Sequence, residues 1–197
     1  MIAILDYGAG NLRSVQNTLA ELGCEYALAR DAAALRAAPK IILPGVGHFG
    51  QMMRALDAMD LRQALVERIA AGVPFLGICL GLQALFETSE EAPEVRGLGI
   101  FEGPVKRFPP GARVPHMGWN QLELRRASKL IGQPDAPPYV YFAHCYYVPE
   151  NGRTAAACTY EAPFTAALEA GNVFGVQFHP EKSGPAGLRI VRSFLEV

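Results

Sequence analysis

The sequence lacks the features that would commit it to a metal, a membrane or a nucleic acid. Its four cysteines, Cys24, Cys79, Cys145 and Cys158, lie far apart, with no CxxC pair and no His/Cys cluster. That spacing argues against zinc and reads as reduced thiols, with neither metal nor cofactor expected. The 18 basic and 19 acidic residues leave a net charge of −1, so no surface for nucleic acid or an anionic membrane is expected. Glycines interrupt the longest apolar run before it reaches the ~20 residues of a spanning helix. The opening "MIAILDYGAG" has no basic n-region of a signal peptide, which makes a cytoplasmic location the expectation. There is no internal repeat, low-complexity tract or convincing linker. Half the 197 residues are hydrophobic and 19% are charged, which suits one globular domain over residues 1–197.

What is present alternates in the first half. "IAILDYG" reads as a buried strand, and "NLRSVQNTLAELG" as a helix with Leu12, Val15, Leu19 and Leu22 at helical spacing and Gly23 as its stop. "CEYALA" and "KIILPG" are short strands around a weak helix, "DAAALRAA". "MMRALDAMDLRQALVERIAAG" reads as one long amphipathic helix ending at Gly72, before the strand "VPFLGIC". Strands and helices in alternation predict βαβ units and an α/β fold with a mainly parallel sheet. From Gly97 to Phe178 short alternating segments, broken by proline and glycine, predict antiparallel strands that extend or flank that sheet. "GPAGLRIVRSFLEV" reads as a closing helix.

Three stretches carry chemistry. Gly77-Ile78-Cys79-Leu80-Gly81 has the form of a G-x-nucleophile-x-G elbow, a sharp strand-to-helix turn whose glycines allow close packing. The electropositive helix start favours thiolate chemistry at such a position, and the Leu80 N–H would point at an oxyanion. Taken alone, the pentapeptide also fits a buried structural cysteine. "GVQFHPEKS" offers a base: His179 and Glu181 are two apart, and an extended segment would point both the same way. An imidazole takes the thiol proton and a carboxylate orients the imidazole. His48 and His116 read as loop residues without a partner, and His144 as a hydrogen-bonded core residue. "ILPGVGHFG" leaves a strand through Gly45, Val46 and Gly47, a loop able to turn backbone amides to a ligand at the same carboxyl edge as Cys79.

In this order, the glycine loop, the elbow and the late His-Pro-Glu resemble the class I (triad) glutamine amidotransferases, over essentially the whole chain. Within that class, "PGVGHFG", "PHMGWN" and "QFHPEKS" are most similar to the glutaminase subunits of imidazole glycerol phosphate synthase. The resemblance implies a flavodoxin-like fold and a Cys79–His179–Glu181 triad that hydrolyses glutamine to glutamate and ammonia. It implies an oxyanion site built from Leu80 and an amide of Gly45, Val46 or Gly47. Gln83, one turn beyond Cys79, would bind the polar end of the substrate, and Glu91, Cys145 and Tyr146 would line the same site. It also implies a partner, a (β/α)8-barrel cyclase that receives the ammonia in histidine biosynthesis. Trp119, Tyr141 and Lys182 are the candidate docking residues, with Trp119 expected in a loop. Two alternatives stand beside this one. One is a glutaminase serving an anthranilate or pyridoxal phosphate synthase. The other is a redox-sensing or peptidase cysteine protein with a similar strand-turn-helix cysteine.

Overall fold

The computed structural model describes residues 1–197. The first half follows the alternating pattern: β1 (Ile2–Leu5), α1 (Leu12–Glu21), β2 (Tyr26–Ala29), α2 (Ala32–Ala37), β3 (Ile41–Gly45), α3 (Phe49–Ala58), α4 (Leu61–Ala70) and β4 (Phe75–Cys79). The expected single long helix is two. It breaks at Asp60, whose φ of 55° places it in the left-handed region, which a short polar side chain tolerates. The Arg62 guanidinium donates back across the break to Asp57 at 2.9 Å, so polar groups staple a corner that the apolar periodicity runs straight through.

After β4 come α5 (Leu80–Gln83), β5 (Phe86–Ser89), β6 (Phe101–Arg107), β7 (His116–Gln121) and β8 (Glu123–Leu124). They are followed by β9 (Tyr139–His144), β10 (Tyr146–Tyr147), β11 (Thr154–Tyr160), β12 (Ala162–Ala170), β13 (Val173–Val176), a 3-10 turn (Pro180–Lys182) and α6 (Gly184–Glu196). The helix after the elbow is only one turn long. The "PHMGWN" segment is a strand rather than a loop: β7 pairs antiparallel with β9 and sets Trp119 opposite Tyr141. His116, on that strand, is a buried residue and not a loop histidine.

The main sheet has eight strands in the order β2-β1-β3-β4-β13-β12-β11-β8. β1, β2, β3, β4 and β13 run parallel, and β12, β11 and β8 continue antiparallel. Strand residues alternate between two apolar cores. Leu5, Leu43 and Phe75 join one cluster, while Ile4, Ile42, Leu76 and Ile78 join the other. A parallel sheet covered on both faces needs such continuous apolar strands. The order has one consequence for chemistry: β13 lies directly beside β4, with Val176 opposite Ile78. The segment after β13 therefore opens at the same carboxyl edge as Cys79.

Candidate active site

Cys79 ends β4 with φ 54° and ψ −105°, a backbone state that costs on the order of 1–3 kcal/mol for a residue with a Cβ. Its flanking glycines explain how the turn is held. A Cβ on Gly81 would collide with the Leu43 carbonyl, and one on Gly77 with the backbone of Gly81 and Leu82. These are backbone obstacles that cannot swing aside, so the elbow packs down on β3 and fixes the cysteine above it. The thiol is 6% exposed. It faces a cavity of about 200 Å³ lined by Val46, Gly47, Leu80, Gln83, Glu91, Pro115, Met117, Ala143, His144, Cys145 and Tyr146.

His179 follows the neighbouring strand β13 and interacts with Cys79 closely enough for the thiol to perturb its pKa. Its Nδ1 donates to Glu181 Oε1 at 2.9 Å, which leaves Nε2 for the sulfur. Both side chains are 2% exposed. Glu181 lies in the 3-10 turn rather than in extended chain, so the expected route to this pairing is replaced by a tighter one. Asn11, at the start of α1, donates to the same Oε1 at 3.1 Å. Burial alone would depress the His179 pKa, but the hydrogen bonds to Cys79 and Glu181 overcome it and raise it. That shift favours the imidazolium form of His179. Main-chain contacts fix the segment as well: His179 N–H donates to the Tyr141 carbonyl at 2.8 Å, and Ser183 Oγ donates to the His179 carbonyl at 2.6 Å.

Val46 and Gly47 reach the cavity from the end of β3, where Gly45 stands opposite Cys79 in register. Gly47 has φ 98°, a conformation only glycine adopts without strain. His48 is not partnerless, since its Nδ1 accepts the Gly50 N–H at 3.1 Å and caps α3. Gln83, Glu91, Cys145 and Tyr146 all line the cavity. Gln83 Nε2 is already spent, donating to the Tyr146 carbonyl at 2.8 Å and to Gln177 Oε1 at 3.1 Å; only its oxygen is free for a ligand. Glu91 Oε2 accepts the Phe49 N–H at 2.7 Å. The second thiol of the cavity, Cys145, has its pKa raised, chiefly by burial and then by Glu91, so it is held in the unreactive thiol form.

Trp119, Tyr141 and Lys182 form one surface group. The two rings meet edge-to-face at 6.2 Å, and Lys182 Nζ sits 5.8 Å from the Tyr141 ring centre. Trp119 is 56% exposed and Met117, on the same face of β7, 63%. Sequence reasoning missed Asn11 and Gln177, because nothing local marks either one. Their roles arise from contacts across 170 and 98 residues. It also missed that His116 and His144 meet, Nδ1 to Nε2, at 3.0 Å. No group of three or more His, Cys, Asp or Glu side chains is arranged to hold a metal ion, and no helix is long and apolar enough to cross a membrane.

The chain is similar to known proteins along its whole length. The profile of the glutamine amidotransferase class-I family matches residues 3–197. The imidazole glycerol phosphate synthase subunit HisH of Methanothermobacter thermautotrophicus is 49% identical over 199 residues, covering 100% of this chain and 98% of the relative. The subunit of the same name from Thermococcus kodakarensis is 46% identical, with 98% of each chain covered. Among solved structures, a glutamine amidotransferase superposes with a TM-score of 0.79 at 22% identity, covering 100% of this chain and 98% of the other. A PurLQS structure from Thermotoga maritima gives 0.77 at 19%, covering 99% and 97%. Both structural neighbours speak to fold alone, and the sequence relatives set aside the redox or peptidase alternative. With its motifs, fold and full-length relatives in accord, the chain belongs to the class I glutamine amidotransferases and, within them, to the family of imidazole glycerol phosphate synthase subunit HisH.

Proposed function

We propose that this chain is the glutaminase of an imidazole glycerol phosphate synthase, with Cys79 as nucleophile, His179 as acid–base and Glu181 as the group that orients His179. The observation that carries the reading is the Cys79–His179–Glu181 arrangement, with 2.9 Å between His179 Nδ1 and Glu181 Oε1 and with Cys79 lining a cavity. The Cys79 sulfur attacks the side-chain amide carbon of glutamine, forming a C–S bond. The carbonyl oxygen becomes an oxyanion, met by the Leu80 N–H and an amide of the Gly45-Val46-Gly47 loop. His179 Nε2 gives its proton to the departing nitrogen, the C–N bond breaks, and ammonia leaves a thioester. His179 then takes a proton from water, whose oxygen attacks the thioester; glutamate departs and the thiolate returns. Gln83 Oε1, Glu91, Cys145 and Tyr146 hold the substrate.

Ammonia that meets water is protonated and lost as a nucleophile, so the reading includes a cyclase subunit of barrel form docked over the cavity. The Trp119–Tyr141–Lys182 group supports that placement. Trp119 and Lys182 are exposed and Tyr141 is half-buried, and the Tyr141 carbonyl is bonded to the His179 backbone, so a partner seated there touches the catalytic segment. The test is glutamate release from glutamine by the pure chain, with and without the cyclase. Hydrolysis that rises with the cyclase and disappears in Cys79→Ser, while ammonia-dependent synthesis by the complex survives, is the expected result. Hydrolysis near the wild-type rate in Cys79→Ser would overturn it.

A further inference from the structure

Gln177 is 0% exposed and stands two residues before His179, yet the mechanism above gives it no task. Its Nε2 lies 3.6 Å from Cys79 Sγ, hydrogen-bond range for sulfur. Which end of that amide faces the sulfur follows from the bonds behind it. The Tyr146 carbonyl can only accept, so the Gln83 atom 2.8 Å from it is the NH2 group. The second hydrogen of that group goes to the Gln177 atom at 3.1 Å, which must then be an oxygen. The remaining end of Gln177, an N–H donor, is left for Cys79.

The same carbonyl anchors a second chain. His144 Nδ1 lies 2.8 Å from it and must donate, leaving Nε2 as an acceptor for His116 Nδ1–H at 3.0 Å. His116 Nε2 in turn faces Asn120 Nδ2 at 3.5 Å. Two donors thus hold one backbone oxygen in place, and through it the orientation of both glutamines is determined without ambiguity.

We propose that Gln177 is a positioning residue that holds the Cys79 sulfur through its amide N–H, and that Gln83 and the Tyr146 carbonyl keep that N–H turned to the sulfur. A donor aimed at sulfur favours the thiolate and restrains its rotation towards the Ala143 carbonyl, 4.0 Å away. Gln83 thereby has a structural duty in addition to its free oxygen. The inference rests on Cys79 being the nucleophile, and the two can fail separately.

The experiment is the rate at which iodoacetamide alkylates Cys79 at neutral pH in the folded chain, read by peptide mass against Cys24 as internal reference. Removing a donor lowers the thiolate fraction while making the remaining thiolate more nucleophilic, so the net fall is partial. Gln177→Met should slow alkylation of Cys79 roughly threefold, and kcat of the complex should fall with KM for glutamine unchanged. Gln177→Glu keeps the shape but places a carboxylate on the sulfur, and should slow it roughly tenfold. Gln83→Leu leaves Gln177 in place without its anchor and should shift the rate the same way, which covers the case of an unfolded Gln177 variant. Cys79 alkylation at the wild-type rate in the folded variants would overturn the inference while leaving the triad standing. Retained glutaminase in Cys79→Ser would bring down both.

Discussion

The segment before Gly97 and the segment after it contribute to one active site by different means. The earlier segment supplies Cys79 and the Gly45-Val46-Gly47 loop from the ends of adjacent parallel strands, each placed by its own turn. The later segment supplies His179, Glu181, Gln177, Cys145 and Tyr146, and each depends on contacts far away in sequence. His179 is held by β9, and Glu181 by Asn11. The difference teaches that the proposed nucleophile can be written in five consecutive residues, whereas its proposed acid–base apparatus has to be assembled.

The largest effect should come from the assembled side. His179→Ala is expected to lower glutamine turnover by roughly 10⁴ or more, and Glu181→Ala by less, because the orienting carboxylate is the least costly triad member to lose. Single-turnover measurement of thioester formation checks this. If both variants formed thioester at the wild-type rate, the later segment would not supply the base.

Acid should also undo the later segment first. Burial lowers the pKa of His116 to about 4 and that of His144 to about 3. The unfolded chain takes up both protons near pH 6.5, and the folded chain does not. Their contribution is therefore complete above about pH 6.5 and drains away as the pH falls towards 4. Each buried neutral imidazole adds roughly 1.4 kcal/mol per pH unit to that slope. Urea midpoints between pH 7 and 4.5 should show it, with a shallower slope in His116→Gln. An equal slope in that variant would remove the histidine pair as the cause.

The elbow can be broken from the earlier side. Gly81→Ala drives a methyl into the Leu43 carbonyl and should cost about 1–3 kcal/mol of stability, together with most of the activity. A variant with normal melting and normal turnover would mean that β4 and α5 have slack. The smallest effect on the isolated chain belongs to Trp119→Ala. Folding stability should move by no more than about 0.5 kcal/mol, while affinity for the cyclase, by titration, falls by about 2 kcal/mol. Unchanged affinity would place the docking face elsewhere.

The same contrast governs what was legible in the sequence. β1, β3, β4 and α1 follow from runs of apolar residues and their punctuation, because their signals are local. The break at Asp60 was not legible, since the helical period continues through it and only a polar clasp marks the corner. Trp119 was read as lying in a loop because Gly118 and Asn120 flank it, and pairing with β9 outweighs that composition. Cys79, His179 and Glu181, the proposed triad, were singled out by residue type and spacing, and the fold brings them together. Asn11 and Gln177 were not singled out, because an amide in a sequence says nothing about what it faces. The His116–His144 pair was invisible for the same reason: 28 residues separate its members.

The insertion of β13 between β4 and β12 bears on how the protein is made. A ribosome releases Cys79 about a hundred residues before it reaches Gln177 and His179. Until then β4 is a bare edge, and its cysteine has no base, no amide donor and no Glu181. On the proposed assignment, an incomplete chain therefore carries the nucleophile in disarmed form and is expected to release no ammonia. Competence arrives in a single late event, when β4 gains β13 as its second neighbour, so on this assignment glutamine hydrolysis doubles as a certificate that synthesis and folding have both finished.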